Sequence, residues 1–268
     1  MFFYNGNLHH STTLELPIAE PGLLYGATVF TTLRVYDNSL DHHLTQWAGH
    51  CRRLKTSLDD FQWPQPDWQS LREGAERMME HGSVLRIAIF PDGRELITGR
   101  IIPQDLANRQ EMGIKAWVAD DRMYVRSLPT HKTGNYLCCW LALQAAQRQH
   151  CQEAILINGK GDWLETSTGN LWGWKDGRWW TPPVEAGILP GVMRSQLFQW
   201  LETHHYPAIA QPWTAEVVAG FEAIAYSNSV VQIIPLREIQ HQNSHLTYDP
   251  HHPALAKLRK LFPATRPG

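Results

Sequence analysis

Lys132 is the residue whose type and position first point to chemistry. It stands in Leu128-Pro129-Thr130-His131-Lys132-Thr133-Gly134-Asn135-Tyr136-Leu137, just ahead of the most apolar helix the sequence predicts, residues 135–149. A primary amine where an apolar helix begins is partly withdrawn from water, which favours the neutral, nucleophilic form that Schiff-base chemistry needs. Only seven lysines occur among the 24 cationic residues. Of these, Lys55, Lys160, Lys175, Lys257 and Lys260 read as surface residues, and Lys115 falls in a strand. Taken alone, a lysine at a helix start is more often a surface residue than a catalytic one.

Four further segments offer complementary groups. Glu165 lies in Trp163-Leu164-Glu165-Thr166-Ser167-Thr168-Gly169-Asn170 and places a carboxylate after a strand. Gly187-Ile188-Leu189-Pro190-Gly191-Val192-Met193-Arg194 puts the Val192 and Met193 amides at a helix N-terminus, where backbone N–H groups favour a phosphate. Tyr226-Ser227-Asn228-Ser229-Val230 supplies small hydroxyl and amide donors, and Arg53, in His50-Cys51-Arg52-Arg53-Leu54, supplies a cation on a helix. Each of these also fits an ordinary structural role: a strand carboxylate, a helix cap, a turn, a surface arginine.

The elements that must position these groups follow from periodicity. Residues 28–36 (T-V-F-T-T-L-R-V-Y) are β-branched and aromatic and end at Asp37-Asn38-Ser39, a strand and turn. Trp47, Cys51, Leu54 and Leu58 have helical spacing within 44–58, and a second helix is predicted over 68–79. Residues 84–90 read as a buried strand. The polar, aperiodic stretch between Pro103 and Gly113 is expected to link two domains, 1–103 and 114–268, with 104–113 as the linker and Lys132 in the second. A strand over 114–118 follows, then hairpins around Asn158-Gly159 and Asp176-Gly177. A helix over 192–204 and a strand and turn over 223–234 complete the pattern, which reads as α+β with hairpins rather than regular βαβ alternation.

Composition narrows the classes. The 268 residues carry a net charge of −2 and 43% apolar residues, enough for a full core and without the basic footprint of a nucleic-acid or anionic-membrane partner. The first residues lack a signal peptide's basic flank and apolar core, and no uncharged apolar run reaches the roughly 18 residues of a membrane span. Four cysteines without a C-x-x-C pair imply neither a disulfide framework nor a zinc site, so a cytoplasmic location is expected. Fourteen histidines occur, but their doublets have no accompanying acidic or cysteine pattern, and no metal site is expected. P-loop, dinucleotide-binding, nucleophile-elbow and zinc-protease motifs are absent.

Seven segments in order carry a resemblance. They are G-L-L-Y-G-A-T-V-F-T-T-L-R-V, H-C-R-R-L, L-P-T-H-K-T-G-N-Y-L, E-A-I-L-I-N-G, L-E-T-S-T-G-N-L-W, G-I-L-P-G-V-M-R and S-N-S-V-V-Q-I-I-P-L, lying between Gly22 and Leu236, and the resemblance itself runs from about Phe2 to Leu236. The set resembles the class IV (fold type IV) pyridoxal-phosphate enzymes: branched-chain and D-amino-acid aminotransferases and 4-amino-4-deoxychorismate lyase. The resemblance implies a two-domain α+β fold with pyridoxal 5'-phosphate between the domains, usually in a homodimer. It implies that Lys132 carries the cofactor, that Glu165 meets its ring nitrogen, and that Arg53, Val192, Met193 and Ser229 hold its phosphate.

Within the family, the lyase branch fits best. F-T-T-L-R-V is close to the lyase pattern, and Phe30 stands where D-amino-acid enzymes place a tyrosine. Lys132-x-x-Asn135-x-Leu137 matches the lyase and D-amino-acid spacing, and Gly191-Val192-Met193-Arg194 and Asn228 resemble the lyase counterparts. Strand alternation groups Phe30, Thr32 and Arg34 on one face, suited to a carboxylated ring. The lyase's Gly/Arg-rich loop is here only Phe90-Pro91-Asp92-Gly93-Arg94-Glu95-Leu96, leaving Arg86 and Arg94 as the candidates for a substrate carboxylate. The expected substrate is a small carboxylated amine, cleaved to 4-aminobenzoate and pyruvate on a route to folate, with aminotransfer on D- or branched-chain amino acids as the alternative.

Overall fold

The computed structural model describes residues 1–242 and 244–262. The chain divides into two compact units, Met1–Pro103 with His131–Tyr136, and Gln104–Thr130 with Leu137–Gly268.

The first unit is built on an antiparallel sheet ordered Asn7–His9, Phe2–Tyr4, Glu95–Arg100, Val84–Ile89, Val29–Arg34. Helices Trp47–Asp60 and Trp68–Met79 cover one face. Val29, Leu33, Leu85, Ile87 and Ile97 point into that interface against Leu54, Leu58, Leu71, Ala75 and Met78. The second helix starts where Asp67 accepts the Gln69 and Ser70 amides, satisfying two of the donors that a helix start leaves open. Gly74 lets the Phe3 ring approach; a Cβ there would lie 2.4 Å from Phe3 Cδ1.

The lysine-bearing segment His131–Tyr136 groups with this first unit, whereas the sequence reading put it in the second domain. The cause is backbone pairing: Phe30 N donates to Lys132 O at 2.7 Å, Gly134 N donates to Thr28 O at 2.7 Å, and Val29 bridges Thr133. Gly134 makes the approach possible, because a Cβ would sit 2.4 Å from Thr28 Oγ1.

The second unit holds a mixed sheet ordered Ala208–Ala210, Arg178–Thr181, Asn170–Lys175, Ala223–Asn228, Gln232–His241, Ile114–Ala119, Glu153–Ile157, Trp163–Thr166. Trp163–Thr166 also pairs with Asn170–Lys175 through Glu165 and Asn170, so six of these strands close into a ring. Ile114–Ala119 runs parallel to both of its neighbours, and with helix Leu137–Arg148 and strand Glu153–Ile157 it forms a single βαβ unit within an otherwise hairpin-rich α+β pattern.

Two further differences have physical causes. The expected linker 104–113 contains helix Leu106–Met112, which packs on strand Gln232–His241. It buries only Leu106, too little to print a helical period. The helix predicted over 135–149 is expected to be well buried and forms as Leu137–Arg148. It buries a small-residue face, Cys139, Ala142, Ala145 and Ala146, and leaves Leu137 and Trp140 exposed.

Candidate active site

In the first unit, Lys132 is half-buried, and its Nζ donates to the Tyr136 hydroxyl at 3.0 Å. The same nitrogen lies 4.4 Å from the Tyr136 ring centroid and 4.8 Å from that of Phe30, and the two rings meet edge-on at 5.4 Å. Strand alternation puts Phe30 and Thr32 on the face away from the helices. Arg86, directly opposite Thr32, lays its guanidinium 3.6 Å from the Phe30 ring centroid. Arg34, also expected on this face, lies over the Tyr36 ring at 4.7 Å.

Arg53 is on the other face. His50, Leu54, Ser57 and Leu58 form the buried stripe of helix Trp47–Asp60, and Arg53 follows His50 by one turn. Arg53 Nη2 donates to Thr31 Oγ1 at 2.7 Å, and the same oxygen lies 2.5 Å from His50 Nδ1. Burial, with the Arg53 and Lys132 cations nearby, holds the His50 imidazole well below its ordinary pKa, so it is neutral. Arg94, expected as a substrate-carboxylate ligand, has its guanidinium taken up inside the unit. It donates to buried Glu20 at 2.6 Å, to Asp92 at 2.5 Å and to the Tyr4 hydroxyl.

In the second unit, Glu165 sits on the strand that closes the ring and is 4% exposed. Arg126 Nη1 donates to its Oε1 at 2.5 Å, with both side chains almost fully buried. Its Oε2 accepts from Leu189 N at 3.2 Å and faces Asn170 Nδ2 at 3.4 Å. The carboxylate is thus supplied with a fixed cation and with dipoles aimed at its charge, the conditions that keep a buried acid ionised. Asn170 Nδ2 also donates to Leu189 O at 2.9 Å, tying Glu165 to the loop that leads into the next helix.

That helix, Val192–Thr203, begins at Gly191 with no side chain capping its first turn. The Val192 and Met193 amides are among the N–H groups that a helix start leaves open, and Gly191 has no side chain to accept from them. Gly191 packs against Asn170, and a Cβ on it would lie 2.1 Å from Asn170 Oδ1. Gly191→Ala is therefore expected to displace Asn170 and loosen Glu165. It should cost about 1–3 kcal/mol of stability and weaken cofactor binding, measured by thermal denaturation and cofactor titration. An unchanged protein in both measurements would show that Asn170 moves at no cost.

Ser229 lies half-buried in the turn between strands Ala223–Asn228 and Gln232–His241. Asn228, expected as a substrate ligand, has its amide engaged by that turn: Oδ1 accepts from Val230 N and Val231 N, both at 2.9 Å, and Nδ2 donates to Thr168 O at 3.2 Å.

Sequence reasoning missed Thr31, Tyr136 and Arg126. The first two stand inside motifs already quoted. The alternation that groups Phe30 with Thr32 sends Thr31 to the helix face, and Tyr136 is four residues after Lys132. Arg126 has no signal beyond a basic residue in the loop ahead of the lysine.

A model of the class IV amino-transferases matches residues 28–239. The chain belongs to this family. An aminodeoxychorismate lyase from Vibrio harveyi is 24% identical over 89% of this chain and 91% of its own length. A branched-chain-amino-acid aminotransferase from Escherichia coli strain K12 is also 24% identical, over 88% of this chain and 84% of its own. The fold matches that of a hypothetical aminotransferase from Mycobacterium tuberculosis, solved in a PLP-bound form, with a TM-score of 0.81 at 19% identity over 97% of each chain.

The family is pyridoxal-phosphate-dependent, and the residues present fit that group. In the first unit a half-buried primary amine suits its aldehyde and the Arg53 guanidinium suits a phosphate; in the second a buried carboxylate locked to Arg126 suits a protonated ring nitrogen, and the amides of a helix start suit a phosphate.

Proposed function

We propose that this protein is a pyridoxal-phosphate enzyme of the lyase branch, converting 4-amino-4-deoxychorismate to 4-aminobenzoate and pyruvate, a step toward folate. The observation that carries this reading is the surface beside Lys132. The Phe30 ring, only 4% exposed, backs Lys132 Nζ at 4.8 Å and carries the exposed Arg86 guanidinium at 3.6 Å, a charge available to a carboxylate. A ring bearing carboxylates and an amine matches that combination better than an aliphatic side chain does.

When bound, pyridoxal phosphate supplies an electron-withdrawing ring that accepts the charge left when a proton leaves the carbon bearing the substrate amine. Lys132 would hold the aldehyde, and its neutral amine would remove that proton. Tyr136 accepts a hydrogen bond from Lys132 Nζ and limits its orientations. Glu165, kept anionic by Arg126 and the Leu189 amide, accepts the ring N–H and keeps that nitrogen protonated. Arg53, the Val192 and Met193 amides and Ser229 hold the phosphate. Arg86 and Thr32 bind the substrate carboxylates. Loss of enolpyruvate makes the product aromatic, so orientation and proton removal are the protein's main tasks.

Equal identity to a branched-chain aminotransferase supports a second reading, amino-group exchange on D- or branched-chain amino acids. One paired assay separates the readings. Incubation with 4-amino-4-deoxychorismate should give pyruvate and an aromatic amine, and amino-acid plus keto-acid pairs should give no exchange. Exchange without cleavage would replace the first reading by the second, and neither product would point to a carrier of the cofactor. The protein is expected to act in the cytoplasm as a homodimer. Apolar Met123, Val125, Leu128, Leu137 and Trp140, all exposed on the second unit, support burial against a second copy.

A further inference from the structure

We propose that His50 is a positioning residue for the cofactor phosphate, fixing the Arg53 guanidinium through the Thr31 hydroxyl. The inference rests on the assignment of Arg53 to the phosphate made above.

A guanidinium can only donate, so Thr31 Oγ1 accepts from Arg53 Nη2 at 2.7 Å. The hydroxyl proton must then point elsewhere, and His50 Nδ1, 2.5 Å from the same oxygen, accepts it. That acceptor role requires a neutral ring, which the burial of His50 and its cationic neighbours supply. Thr31 is fully buried and His50 is 1% exposed, so water does not compete for either bond. The order of groups sets the direction of control: the imidazole turns the hydroxyl, and the hydroxyl turns its lone pair to the cation. Without the imidazole acceptor the hydroxyl is free to rotate its proton toward Arg53, and the guanidinium loses its stop.

His50 Nε2 is buried and makes no hydrogen bond among the described residues. A ring kept only to fill the core would be better replaced by an apolar side chain, since an unmade bond to a buried polar atom is costly. The Nδ1 contact is what the polar ring contributes at this position. His50 and Arg53 are neighbours one turn apart on one helix, so the strand residue between them is held by two points of a rigid element.

The test compares pyridoxal phosphate with pyridoxal, which lacks the phosphate. Apoprotein is titrated with each aldehyde, following the visible band of the lysine-bound form, with thermal midpoints as the folding control. Thr31→Val, which removes the charge-assisted bond to Arg53, and His50→Leu, which removes the neutral bond that orients its acceptor, should each weaken pyridoxal phosphate binding about tenfold. Pyridoxal binding should stay within about twofold of the unaltered protein's. His50→Asn, whose Oδ1 accepts in place of Nδ1, and Thr31→Ser, which keeps the hydroxyl, should restore phosphate-dependent affinity. Equal loss of both aldehydes, or no loss for either, overturns the proposal. Should His50→Leu fail to fold, the Thr31→Val and Thr31→Ser pair decides by the same criterion. Arg53→Met separates the layers of the argument. If it leaves the preference for the phosphorylated aldehyde intact, the Arg53 assignment falls. If the unaltered protein binds neither aldehyde, the proposed function falls.

Discussion

Replacing Lys132 by alanine is expected to abolish the visible absorbance of the bound cofactor and to lower turnover at least about a thousandfold. The residue both holds the aldehyde and moves the proton, and general-base catalysis alone contributes about 10²–10⁴. The fold should survive. The side chain is half-buried and donates a hydrogen bond to Tyr136, while the strand contact of its segment runs through the backbone. Circular dichroism and the thermal midpoint should therefore remain near those of the parent, while the absorbance spectrum changes completely. A retained visible band would mean that another amine carries the cofactor.

Arg126→Met is expected to give the largest loss of stability among single substitutions at the site. It removes the cation from a pair whose side chains are 6% and 5% exposed and leaves the Glu165 carboxylate buried without this partner. Breaking a buried pair in this way costs about 3–5 kcal/mol. The companion change, Glu165→Gln, removes the negative charge as well. The double variant should recover part of the lost stability, because no uncompensated charge remains, yet it should stay inactive. Denaturant unfolding of the four proteins measures the coupling. If Arg126→Met unfolds at the same denaturant concentration as the parent, the pair contributes nothing to the fold.

How far these features are legible in the sequence varies with the physics behind each. Helix 68–79 is read correctly at both ends because Asp67 caps it and Leu71, Ala75 and Met78 repeat on one face. The hairpins at Asn158-Gly159 and Asp176-Gly177 are readable from turn chemistry, and strands Glu153–Ile157 with Trp163–Thr166 and Asn170–Lys175 with Arg178–Thr181 flank them. The same chemistry at Asn5-Gly6, both at positive φ, joins Phe2–Tyr4 to Asn7–His9, but three-residue strands leave almost no pattern around it. Parallel pairing of Ile114–Ala119 with strands distant in sequence prints nothing locally. At the site, Lys132, Glu165 and Arg53 are legible through motifs. Arg126 is not, because an irregular loop has no period and its partner lies 39 residues away. Asn228 and Arg94 show the reverse case: residue types suited to a ligand whose donors and acceptors the fold itself consumes.

The excursion of His131–Tyr136 into the first unit bears on the order in which the chain matures. Strand Val29–Arg34 leaves the ribosome a hundred residues ahead of the lysine, and domains tend to fold as they are synthesised. The earlier sheet thus stands ready as a template on which the later segment docks. A polypeptide cut at Pro103 would carry its lysine on the half lacking that template. Each half made separately should be unable to capture the vitamin aldehyde, and mixing the two should restore capture by fragment complementation.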